Sequence, residues 1–206
     1  MSEDGRLAPV EGIAEDTAAG FRAQVAQAAR DRAGSWDAVA DVLAAPGPEL
    51  VERLRAGELA TVWRLGARWL GADAELFTRD LMSLDVYARG SRRRSADDDL
   101  AALRADHDRS VAAEGDLVSP VRRVADLCRE EADAWAAGDM AAGRAVRARE
   151  RTLIEDTLVP GLPNAGGRLA QEAEARVSST LGRLVLAVLS VESGRDYLRA
   201  VLGDEG

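Results

Sequence analysis

The sequence predicts an all-α fold, a single globular multi-helix bundle, on three observations. Ala, Leu, Arg and Glu dominate while β-branched and aromatic residues are sparse, with aromatics at only 4%, and unbranched side chains lose little rotamer freedom in a helix. Apolar residues recur at three- and four-residue spacing through most of the chain, the period of one helix face. No run of β-branched or aromatic residues alternates with period two, the pattern a half-buried strand requires.

The elements follow in order. Residues 1–16 are polar and Gly- and Glu-containing and are expected to form a flexible N-terminal segment, with the helical domain over 17–206. A first helix is expected over Thr17–Ala33, with Phe21, Val25 and Ala28 in register, and Trp36, Val39 and Leu43 continue its stripe. Ala45-Pro46-Gly47-Pro48 stops it, and Pro48 suits the first turn of a short helix through Arg55. Leu59, Val62, Trp63, Gly66 and Leu70 mark the next face, and Phe77, Leu81, Leu84 and Ala88 the one after. Asp97-Asp98-Asp99 opens a helix carrying Leu100, Leu103, His107 and Val111, its acids complementing the helix N-terminus.

Glu114-Gly115-Asp116 breaks the pattern, and Ser119-Pro120 restarts it with Val121, Val124, Cys128 and Trp135 on one face. Gly138-Asp139 reads as a C-cap followed by an N-cap, a tight turn between antiparallel helices. The helix from Met140 carries Val146, Leu153, Ile154 and Leu158 until Pro160-Gly161-Leu162-Pro163 ends it. Gly166-Gly167 reads as loop, and Leu169 and Ala173 as the start of a further helix. Leu181, Leu184, Val185, Val188 and Leu189 mark the most buried helix, and Tyr197–Leu202 a short closing piece.

Composition narrows the functions. With 206 residues, 47% of them hydrophobic, a sizeable core is expected. A net charge of -9 repels phosphate backbones, so nucleic acid is not the expected partner. The chain has no lysine, which removes the Walker-type lysine, the Schiff base and the Ser-Lys dyad. One His and one Cys cannot build a Cys/His zinc site, and no G-x-S-x-G elbow presents a nucleophile. No catalytic residues, no metal and no cofactor are expected. Without a leader or a long apolar run, the expectation is a cytoplasmic protein that does not enter a membrane.

Three stretches carry a resemblance. They are Trp36–Leu50 with Leu54-Arg55, then Leu100–Arg109, then Leu127–Leu162 with its Trp135-Ala136-Ala137-Gly138-Asp139 turn and Leu158-Val159-Pro160-Gly161-Leu162-Pro163 end. In order and spacing they resemble the TorD/DmsD/NarJ family of molybdoenzyme maturation chaperones. The chain departs from that family in having His107 and Ser110-Val111 where a Tyr and a Leu-Phe are usual, and Ser119-Pro120-Val121 in place of a Pro-Pro-aromatic segment. The family's Asp-x-His-rich loop is missing or contracted between Pro120 and Leu127.

The resemblance implies a TorD-like bundle that binds the twin-arginine signal peptide, or N-terminal region, of a molybdopterin-containing oxidoreductase catalytic subunit before export. It also implies a monomer or helix-swapped dimer. Such binding needs an apolar groove for the hydrophobic run and acidic groups for the paired arginines. The candidate peptide-contacting residues are Trp36, Trp69, His107, Ser119, Pro120, Val121, Glu130 and Glu131. Core burial is the competing reading for the tryptophans, with Trp69 the one off the main stripe. A hydrogen-bonded, partly buried residue is the competing reading for His107, and a solvated face for the glutamates. The alternative function is a non-catalytic helical scaffold or regulatory subunit that binds another folded protein.

Overall fold

The computed structural model describes residues 11–56 and 95–193, with only the backbone described for 11–16 and Arg176. Trp63, Trp69, the stripes between Leu59 and Ala88, and the closing piece Tyr197–Leu202 lie outside the described residues. The described elements are α1 (Glu11–Leu43), α2 (Pro48–Ala56), α3 (Ala96–Ser110), a 3-10 turn (Ala112–Glu114), α4 (Val118–Ala136), α5 (Met140–Leu153), a π turn (Ile154–Leu158), α6 (Leu162–Glu172) and α7 (Arg176–Ser193). Among the described residues there is no strand. The expected all-α fold is what the chain adopts.

The helix α1 begins at Glu11, within the segment expected to be flexible, and runs unbroken through Gly34 and Ser35 to Leu43, the Trp36–Val39–Leu43 stripe continuing it as expected. Its 33 residues span about 50 Å. Pro46 and Pro48 end it as expected, and α3 finishes its C-terminus. His107 Nε2 lies 3.0 Å from the Leu43 carbonyl and Arg104 Nε donates to the Pro46 carbonyl at 3.0 Å. Carbonyls left without helical partners at and just past the helix end are thereby satisfied, and the charge of Arg104 also suits that end.

The acid-rich start of α3 is confirmed and has a further component. Ser95 is its N-cap, with Asp98 N–H donating to Ser95 Oγ at 3.0 Å and Ser95 N–H to Asp98 Oδ2 at 3.2 Å, a reciprocal capping box. The Gly138-Asp139 turn also forms as expected. Gly138 takes φ 82°, the left-handed conformation glycine adopts without strain, and Asp139 Oδ1 accepts from Ala142 N–H at 2.9 Å.

The stretch from Leu153 to Ala173 differs from expectation. The α5 backbone continues into the π turn, and Leu162–Glu172 is already α6, with Pro163 in its first turn. Pro163 has no N–H to lose there, so the motif that stops one helix starts the next. Gly166 and Gly167 are therefore helical, and Ala173 is a C-cap, not a helix start. A Cβ on Gly182 would come within 2.4 Å of the Ala170 nitrogen and 2.7 Å of the Gly166 carbonyl. Bare backbone at both positions lets α6 and α7 cross in close contact.

The helices bury their stripes together. Trp36, Val39, Val121, Val124, Leu158, Leu162 and Val185 are fully enclosed, with Leu181, Leu184 and Leu189 of α7 buried among them. The helix α4 lies antiparallel to α1, since Phe21 meets Trp135, Arg32 meets Glu131 and Asp37 meets Arg129. It is also antiparallel to α5 across the Gly138 turn. Trp135 closes this hairpin against Gly143, where a Cβ would come within 2.7 Å of the indole nitrogen.

Candidate functional site

The expected peptide-contacting residues do not converge on one groove. Trp36 of α1 and Val121 of α4 are both 0% exposed, so neither offers a surface to a guest. This corrects the groove reading of both, because each occupies an inward position of its helix where burial of a large apolar side chain is most favourable. Ser119 is exposed and Pro120 half-buried in the first turn of α4, where the Ser119 N–H donates to Asp116 Oδ1 at 3.1 Å. Hydrogen bonds from Ser119 hold the Asp116 carboxyl below its ordinary range.

His107 is hydrogen-bonded and largely buried, as its competing reading had it. Because its partner is a carbonyl, Nε2 carries the hydrogen. Its Nδ1 has no hydrogen-bond partner, the nearest acid being Asp108 Oδ1 at 3.6 Å.

Glu130 and Glu131, neighbours in sequence, have opposite environments. Glu130 is exposed and pairs with Arg123 at 3.2 Å and Arg149 at 3.3 Å. Glu131 is buried, which overturns its reading as a solvated acid. It meets a cluster drawn from four helices. Arg32 of α1 contacts Glu131 of α4, reaches Glu150 of α5 at 2.9 Å and lies 3.5 Å from Glu192 of α7. Arg147 of α5 bonds Glu150 and, at 2.8 Å, Glu192.

Burial would weaken the Arg147 charge, but Glu192 and Glu150 outweigh it and hold the guanidinium more firmly protonated than usual. Burial pushes the Glu131 carboxyl up, against the pull of Arg32 and with the push of Glu150. Cys128, one turn before Glu131, lies 3.7 Å from Arg32 Nη2, and burial drives its thiol well above the ordinary value. It is an un-ionised core thiol, as expected.

A second buried acid, Asp106 of α3, was not among the sequence candidates. Its Oδ1 accepts from Glu174 N–H and its Oδ2 from Ala175 N–H, both at 3.0 Å, and Arg109 bonds it at 2.6 Å. Although burial opposes it, hydrogen bonding from these two N–H groups and Arg109 holds its carboxyl below the usual range. Asp106 thereby fastens α3 to the entry of α7, a structural joint.

One open feature among these elements lies along α5. A cleft of about 400 Å³ runs along the junction with the π turn, lined by Ala148, Arg149, Thr152, Leu153, Asp156 and Thr157. A π turn widens the helix by one residue and is often placed at functional sites. Leu153 supplies an apolar wall, the two threonines supply hydroxyls, and Arg149 and Asp156 supply one charge of each sign. Glu130 reaches this rim through its pair with Arg149, so it is the sequence candidate nearest the cleft.

The cleft escaped sequence reasoning because π geometry has no spacing signature in a single chain. Among the described residues no group of His, Cys, Asp and Glu is arranged to hold a metal ion, and no described helix is long and apolar enough to cross a membrane. No protein-family model, curated protein or solved structure matches the chain.

Proposed function

We propose that this protein is a cytoplasmic, non-catalytic chaperone that binds the twin-arginine leader or N-terminal region of a molybdenum-cofactor oxidoreductase subunit and assists its assembly before export. The observation that carries the reading is the cleft on α5 and its π turn. It sits within Leu127–Leu162, one of the three stretches that resemble the TorD/DmsD/NarJ chaperones. Leu153 is the surface for a leader's apolar run. Asp156, exposed beside it, and Glu130 at the rim are the acids for paired arginines, whose planar guanidinium matches a carboxylate. In this reading Trp36, Val121 and Glu131 support the fold and do not touch the guest.

Calorimetric titration with synthetic leaders tests it. Binding at about micromolar strength or tighter is expected, weakened about tenfold or more by Asp156→Arg combined with Glu130→Arg, since like charges then face the leader. Absence of heat with every leader refutes it.

A second reading, a scaffold or regulatory subunit for a folded partner, is favoured by Phe21 and Met140. They are 57% and 43% exposed on α1 and at the start of α5. Affinity capture from native cells separates the two: a molybdopterin subunit supports the first, and an unrelated folded partner the second.

A further inference from the structure

The cluster joining α1, α4, α5 and α7 is out of charge balance. Among the described residues it holds three carboxylates, Glu131, Glu150 and Glu192, against two guanidiniums, Arg32 and Arg147. The three carboxylate side chains are 6%, 0% and 4% exposed, so solvent screens the excess poorly. Arg32 Nη2 bridges Oε2 of both Glu131 and Glu150, which brings the two carboxyls together. Glu150 Oε1 is buried without a hydrogen-bond partner, an acceptor lacking a donor beside a second carboxyl.

A single proton resolves both faults. It neutralises the excess charge and supplies the missing donor, as when two carboxylates share one site. Cys128, the remaining titratable group in contact, is an un-ionised thiol and contributes no charge.

We propose that this cluster retains one proton, held on the Glu131 carboxyl beside Glu150, above the pH at which an ordinary glutamate loses it, and that its release loosens the packing of α4 on α5 and α7. The upward shift of Glu131 under burial agrees with this. The three carboxylates sit on α4, α5 and α7, with Arg32 of α1 facing all of them, so a surplus of buried negative charge acts between those three helices. The folded state then holds more protons than the unfolded one from the ordinary glutamate range upward. Stability falls as pH rises through the folded value.

The test compares the intact chain with Glu131→Gln, whose amide has the shape of the protonated carboxyl. Denaturant unfolding is measured from about pH 5 to about pH 9, and the glutamate carboxyl carbons of the unmutated chain are followed by NMR. The expected ratio of folding constants, unmutated over variant, falls by up to about tenfold per pH unit through the window and then levels. One buried glutamate carboxyl titrates above the ordinary range. Hydrogen exchange around Glu131 and Glu150 quickens with pH in the unmutated chain beyond its rise in the variant. A flat ratio, glutamate carboxyls that all titrate at or below the ordinary value, or a Gln variant unable to fold would each overturn the proposal.

Discussion

Replacing Arg32 with Met keeps most of the apolar stem and removes the charge that reaches three glutamates. In the variant, Arg147 alone faces Glu131, Glu150 and Glu192, and it contacts only the last two. Removing one partner of a buried pair costs about 3–5 kcal/mol, because the remaining charge is left uncompensated. The Arg32 side chain is 20% exposed and protonation of a glutamate relieves part of the strain, so about 3 kcal/mol is expected near neutral pH. With a urea dependence of about 2 kcal/mol per molar, the unfolding midpoint moves down by about 1.5 M. The loss shrinks on acidification as the stranded carboxylates protonate, before general acid destabilisation sets in. Urea unfolding followed by circular dichroism at neutral and mildly acidic pH reads both effects. A midpoint unchanged at neutral pH would refute the claim that Arg32 anchors the four-helix junction.

Other perturbations probe separate joints of the bundle. Gly182→Ala forces a methyl group against the backbone of Ala170 and Gly166 and should destabilise by about 2 kcal/mol or more despite alanine's better helix propensity. Gly34→Ala, with nothing within 4 Å of the added atom, should stabilise α1 by up to about 1 kcal/mol; thermal melts of the two variants must move in opposite directions. Asp106→Asn weakens the hold on the Glu174 and Ala175 N–H groups and on Arg109, and should cost about 1–3 kcal/mol at neutral pH. The Asp106 carboxyl is depressed, so its contribution is present above the ordinary carboxylate value of 3.8 and is lost as pH falls through its folded value. Parallel acid-unfolding curves for Asp106→Asn and the unmutated chain would contradict that account.

The parts of the fold that were legible in the sequence are those where local chemistry and packing agree. Pro46-Gly47-Pro48, Gly138-Asp139 and the Leu181–Leu189 stripe each say where a helix ends, turns or buries itself, and each does so. Legibility failed where tertiary contact overrides local preference. Gly166-Gly167 reads as a loop because glycine weakens an isolated helix, yet both are helical, and α7 crosses closely at Gly166, where an added Cβ would meet Val185 and Leu186 at 3.1 Å, while Gly167 has open space around it.

The ion cluster left a trace that only the assembled bundle makes readable. Arg32 falls on the same stripe as Ala29, Trp36, Val39 and Leu43. Glu131 shares a stripe with Val124, Cys128 and Trp135, and Arg147 and Glu150 lie between Gly143 and Ile154. A charge on an inward stripe is anomalous alone, and complementary charges on several helices identify a shared layer only once the pairing of helices is known. The cleft beside the π turn left no trace in the sequence, so the peptide-contacting residues had to be chosen by family position, and three of them proved to be inward-facing.

The most direct test of guest binding is amide NMR of the isotopically labelled chain during titration with a twin-arginine leader. The account predicts saturable shifts concentrated on Ala148–Thr157 and Glu130, saturating only at about tenfold or more higher leader concentration when the paired arginines of the leader are replaced by alanine. Saturable shifts confined to other surfaces, or none at millimolar leader, would contradict it.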